Sequence, residues 1–91
     1  FFYLMEAMIT AAESFGINEA VARTLVVQTA LGAANMAASS EHSPNILRQQ
    51  VTSPGGTTEA ACSLLTQAEF TALVTAACAA AKARSEALST H

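Results

Sequence analysis

The sequence has no tryptophan, one tyrosine, two prolines, two cysteines and only four basic residues among its 91. Each scarcity removes a class of function. Arg23, Arg48, Lys82 and Arg84 are dispersed, and seven acidic residues leave a formal net charge of −3. Binding to nucleic-acid phosphates depends on clustered Lys and Arg, so this balance argues against a nucleic-acid partner. Cys62 and Cys78 form neither a CxxC pair nor a metal-ligand spacing. In alanine-rich, helix-like surroundings they read as buried free thiols of a cytosolic, cytoplasmic protein. His42 and His91 have no companion ligand at a useful spacing, so no metal site is expected. Glu6 and Glu13 interrupt the apolar N-terminal run before it reaches about eighteen residues, the least that a membrane span needs. The run also lacks the basic residues that open a secretory leader. Neither a membrane nor a signal peptide is expected.

What remains is alanine. There are 21 alanines and 24 large apolar residues, and no segment alternates as a half-buried strand does. The expected fold is all-α, with residues 1–91 forming one small domain of five or so helices. Phe1, Leu4, Met5, Met8, Ile9 and Ala12 recur at helical spacing over residues 1–15, and Gly16 supplies a left-handed stop. Asn18 is a fitting cap for a second helix from Glu19 to about Ala38, with Glu19 in its first turn. Val21, Leu25, Val26, Val27, Leu31 and Met36 spread nearly all round that helix. A helix apolar on every side needs cover on every side, and so few large side chains point to a second chain as the cover. Gly32 and its alanine neighbours offer a groove where another backbone can approach. Ser43 and Pro44 fit the cap and first position of a short helix to about Gln50. Another helix opens at Thr57 or Thr58, and Phe70 to about Leu88 forms the last. Thr66-Gln67-Ala68-Glu69 matches a capping box ahead of it.

One stretch departs from this pattern: Gln50-Val51-Thr52-Ser53-Pro54-Gly55-Gly56-Thr57-Thr58-Glu59. Ser53-Pro54 restricts two residues, and Gly55-Gly56 permits positive φ while leaving the backbone N–H groups uncovered. N–H groups at a helix mouth beside glycines can receive a carboxylate or a phosphate. The segment lacks the lysine of a phosphate-binding P-loop. On residues alone it reads either as a helix–helix turn capped by threonine or as an anion receptor. Thr52, Ser53, Thr57 and Thr58 are more hydroxyls than a cap requires.

Val51 to Thr58 resembles the signature segment of the pyrroline-5-carboxylate reductase family. The flanks agree: Phe2 to Met8 is similar to the start of that family's C-terminal helical domain, and Ala22 to Met36 to its long central helix. Ser40-Glu41 and Pro44 fall where the family has a similar Ser-Glu and Pro, and Phe70 to Leu88 resembles its closing helix. The corner Thr66–Glu69 departs from the pattern, since the family's turn there usually ends in Gly-Gly. The resemblance implies an intertwined homodimer, with room for an oligomer of dimers, and an oxidoreductase completing proline biosynthesis. It also implies NADPH or NADH held by a Rossmann domain. No G-x-G-x-x-G occurs here, and a chain that opens on Phe1 rather than Met is expected to be a piece of a longer one, inactive when isolated. Carried over, Ser53, Gly55, Gly56, Thr57 and Thr58 would hold the carboxylate of 1-pyrroline-5-carboxylate, a small imine. Thr58 would be the catalytic candidate, hydrogen-bonding near the ring nitrogen, and Glu41 would support that end.

Two other readings stand beside this one. The chain could be a dimerisation module without catalysis, its loop a plain turn. It could also be the helical half of another Rossmann-linked dehydrogenase, such as a β-hydroxyacid dehydrogenase relative. That family relies on a helical-domain lysine, whereas Lys82 lies deep in the last helix.

Overall fold

Five α-helices and no strand make up residues 1–89, which the computed structural model describes. They are α1 (Phe2–Ser14), α2 (Glu19–Ser39), α3 (Pro44–Gln50), α4 (Thr57–Gln67) and α5 (Phe70–Ser89). The all-α expectation holds. Thr90 and His91, the latter weighed above as a metal ligand, lie outside the described residues. The chain divides into two compact units, residues 1–47 and 48–91.

In the first unit the corner between α1 and α2 turns on Gly16, whose φ of 90° lies in the left-handed region. The Gly16 N–H donates to the Glu13 carbonyl at 3.0 Å and the Ile17 N–H to the Ala12 carbonyl at 3.1 Å. This pair of bonds closes a Schellman motif, which satisfies carbonyls the helix end leaves open. The next helix is capped at once, because Asn18 Oδ1 accepts from the Ala20 N–H at 2.9 Å. Helix α1 packs on α2. Met5, Ile9 and Ala12 are half-buried at helical spacing along α1. Along α2 the matching stripe is Ala22, Val26 and Ala30. Within the described residues only Ala22 and Val26 are buried.

That stripe is narrower than the sequence suggests. Leu4 and Met8, which the helical spacing assigns to the apolar face of α1, are exposed. Val21, Leu25, Leu31 and Met36 on α2 are each more than half exposed. The first unit therefore covers one side of an all-round apolar helix and leaves the rest in solvent.

In the second unit α4 and α5 meet at Ala68-Glu69 with their directions bent by 58°. The expected capping box does not form. Thr66 lies inside α4, and its hydroxyl donates to the Cys62 carbonyl at 2.8 Å. Nothing between Cys62 and Gln67 breaks a helix, so α4 runs on and the reversal falls on the last residue before Phe70. Glu69 makes that reversal with a φ of 57°, and its carbonyl accepts from the Leu73 N–H at 3.0 Å to start α5. A side chain in this region costs about 1–2 kcal/mol relative to the right-handed one. This gives the glycine expected at the corner a physical reason. No residue of α3, α4 or α5 is buried among those described. The free thiol of Cys62 is accordingly half-buried and that of Cys78 exposed, rather than both buried. Within the described residues no single helix is long and apolar enough to cross a membrane, and α4 and α5 meet that test only as a bent pair.

Two outcomes are expected. Replacing Glu69 with Gly should relieve the left-handed strain and stabilise the fold by up to about 1 kcal/mol after the greater freedom of unfolded glycine is subtracted. A chemical-denaturation midpoint that falls instead would show that the Glu69 side chain matters more than its backbone. The exposed apolar faces also predict a melting temperature that falls on dilution, with self-association visible by light scattering. A well-folded monomer at micromolar concentration, melting at one temperature whatever the dilution, would contradict this.

Candidate functional site

The unusual stretch lies in the second unit, between α3 and α4, and is built from short-range hydrogen bonds. Thr52 closes α3. Its N–H donates to the Gln49 carbonyl at 3.1 Å and its hydroxyl to the Arg48 carbonyl at 2.6 Å. Counting Thr52 among the hydroxyls available to a ligand is therefore corrected, since its donor is spent on the helix end.

Ser53-Pro54-Gly55-Gly56 then makes a tight turn, closed by the Gly56 N–H donating to the Ser53 carbonyl at 3.0 Å. Proline at the second position and a φ of 73° at Gly55 in the third are the marks of a type II turn. The two glycines are required for different reasons. Gly55 needs the positive φ that only glycine adopts freely. Gly56 does not: it is the N-cap of α4 with φ −85° and ψ 177°, an extended conformation open to any residue. What crowds a side chain at Gly56 is contact with Ser53, most closely with its rotatable hydroxyl. A Cβ there would sit 2.5 Å from Ser53 Oγ and 3.1 Å from the Ser53 carbonyl oxygen. The sequence expectation of positive φ at both positions holds for Gly55 alone.

Beyond Gly56 the helix opens. The Ala60 N–H donates to the Gly56 carbonyl at 3.2 Å, which starts the regular ladder. The N–H groups of Thr57, Thr58 and Glu59 precede that ladder and are the donors a helix leaves without an internal acceptor. No side chain caps α4 from Gly56. Among the described residues the hydroxyls of Ser53, Thr57 and Thr58 have no hydrogen-bond partner. Thr58 is half-buried, whereas Ser53 and Thr57 are exposed. Three parallel N–H groups at the positive end of a helix dipole, flanked by hydroxyls, suit a carboxylate.

Glu59 is the participant that sequence reasoning missed. Its Oε1 accepts from the Gly55 N–H at 3.1 Å, tying the first turn of α4 back to the type II turn. The signal was present, because an acidic residue three positions after an N-cap is the spacing of a capping box. Glu41 belongs to the first unit, on an exposed turn before α3 where the His42 N–H donates to Ser40 Oγ at 3.0 Å. The structure thus gathers Ser53, Gly55, Gly56, Thr57 and Thr58 in one turn, and Glu41 stands in a separate unit.

The strand-to-helix phosphate turn of a dinucleotide-binding fold does not occur among the described residues. Phosphate-binding βα turns need a strand running into a glycine-rich helix start, and the described residues contain helices only.

Comparison with known proteins places the chain in a family. The family described as pyrroline-5-carboxylate reductase dimerisation matches residues 1–88. Pyrroline-5-carboxylate reductase of Pseudomonas aeruginosa is 52% identical over 88 residues, covering 97% of this chain and 32% of the relative. That of Vibrio alginolyticus is 44% identical over 87 residues, covering 94% of this chain and 32% of its own length. The chain thus spans about a third of the length of these curated relatives. Two solved structures are similar. Pyrroline-5-carboxylate reductase from Coxiella burnetii has a TM-score of 0.75 and 49% identity, covering 79% of this chain and 27% of that one. Plasmodium falciparum pyrroline carboxylate reductase, solved with NADP bound, has a TM-score of 0.79 and 27% identity, covering 81% and 28%. With residues 1–88 matched by the family and a relative 52% identical over 97% of the chain, this chain belongs to the pyrroline-5-carboxylate reductase dimerisation family.

Proposed function

We propose that this chain is the helical dimerisation and substrate-binding part of a cytoplasmic pyrroline-5-carboxylate reductase. The whole enzyme would reduce 1-pyrroline-5-carboxylate to L-proline as the last step of proline biosynthesis. The observation that carries the reading is the Ser53–Thr58 turn, which presents N–H groups and hydroxyls at the mouth of α4. The substrate has one fixed anionic group, its carboxylate, and this donor set matches it. Thr58, half-buried behind the turn, is the candidate to hydrogen-bond near the ring nitrogen. Glu41 is proposed to support that end. Reduction draws on NADPH or NADH held by residues outside this chain. Here the protein's part is to fix the imine by its carboxylate and keep it oriented.

The exposed faces of α2, α4 and α5 support a homodimer and leave room for an oligomer of dimers. A plain dimerisation module would share those faces but would not need two differently constrained glycines at the turn. The lysine-dependent dehydrogenase alternative finds no support, since Lys82 is exposed in α5 and paired with Glu86.

The test is made in the full-length reductase. Thr58→Ala removes one hydrogen bond to a charged ligand and should raise the imine KM about ten- to a hundred-fold, leaving the cofactor KM near its original value. Gly56→Ala should also weaken imine binding, and Ser53→Gly should relieve part of that loss by removing the side chain it meets. Gly55→Ala, strained by its φ rather than by contact, should gain nothing from Ser53→Gly. If Thr58→Ala in a folded enzyme left imine kinetics unchanged, the loop would be a structural turn only.

A further inference from the structure

Gly55 holds a positive φ in open space. A Cβ built there meets nothing within 4 Å, so the glycine is required by its φ and not by a neighbouring side chain. Pro54 fixes only its own φ, and a glycine pair following it is free to visit many conformations. Two hydrogen bonds do the holding: Gly56 N–H to the Ser53 carbonyl at 3.0 Å, and Gly55 N–H to Glu59 Oε1 at 3.1 Å. The second spans from the turn to the first turn of α4, so it fixes how the two meet.

We propose that Glu59 is a positioning residue for the substrate carboxylate, an inference that rests on the reading of this loop as the carboxylate cradle. The acceptor at Oε1 withdraws the Gly55 N–H from the ligand and pins the turn. The donors left for the substrate are then the N–H groups of Thr57, Thr58 and Glu59 with their neighbouring hydroxyls. The role belongs to the acceptor and not to the charge. A second carboxylate beside an anion is electrostatically unfavourable, and the charge is tolerated because the positive end of α4 and solvent screen it. A glutamine offers the same oxygen at the same reach. An aspartate keeps the charge but is one methylene too short.

The experiment compares Glu59→Gln, Glu59→Asp and Glu59→Ala in the full-length reductase, with Thr58→Ala measured in parallel. The substrates are 1-pyrroline-5-carboxylate and 1-pyrroline, the same ring without the carboxylate. Glu59→Ala and Glu59→Asp should each raise KM for the carboxylated imine about tenfold. Both should leave kcat and the KM for 1-pyrroline near their original values, and Glu59→Gln should behave as the parent. An unchanged KM in Glu59→Ala, equal losses on both imines, or a lower KM in Glu59→Gln and Glu59→Ala alike would each overturn the role. If Glu59→Ala is silent while Thr58→Ala raises KM, the positioning role alone falls. If both are silent, the cradle reading falls with it.

Discussion

A helix that is apolar on all sides must be covered on all sides, and this requirement governs the chain. In α2 one stripe, Ala22 and Val26, finds cover against α1. The stripe is built of small residues, so the two helices can approach closely yet bury little area between them. Val21, Leu25, Val27, Leu31 and Met36 remain outside it. A second copy of the chain answers this imbalance without any change of sequence, and a family defined by dimerisation is where such a helix would be found. The aliphatic residues of α4 and α5 follow the same logic, since neither helix buries a residue within its own unit.

The Ser53–Thr58 loop is held by different means. Its conformation depends on a proline, one glycine with positive φ, one glycine crowded by Ser53, and bonds no longer than a few residues in sequence. None of these needs a packed core. A loop specified locally can therefore keep its shape in a scaffold whose core is thin. The hydroxyls in this chain obey the same economy. Thr24, Thr29, Thr66 and Thr75 each donate to the carbonyl four residues back, which satisfies them on exposed helix surfaces. Ser53, Thr57 and Thr58 are different because they flank a turn or stand in a first turn, where that carbonyl is not presented to them.

This separation explains which features were legible in the sequence. Caps and stops were, because Asn18, Gly16 and Pro44 act on backbone groups within a few residues and nothing distant competes with them. The capping box at Thr66 was misread because its spacing is equally compatible with a helix interior. Which applies depends on whether the preceding helix ends, and α4 continued through it. Burial was misjudged in the same direction at Cys62 and Cys78, since alanine-rich helical surroundings show which residues share a helix but not what covers its faces. Within the loop the residue types and order pointed to the turn. The distinction between Gly55 and Gly56 was hidden, because sequence cannot tell a backbone demand from a steric one. Only the position of the Ser53 side chain over Gly56 separates them.

Glu59 shows how the two regimes meet. It is a helix residue by position and a loop residue by contact, and its acceptor joins α4 to the turn that α4 must face. A helix N-terminus can orient an anion only if the chain entering it arrives at a fixed angle, since the N–H groups point along the helix and the entering backbone decides what reaches them. Pro54 fixes that entry on one side, the Ser53–Gly56 bond closes it, and Glu59 ties it to the helix. Three local constraints thereby set the direction from which an anion could reach the N–H groups of α4, and none of them draws on the exposed apolar faces of α2, α4 and α5.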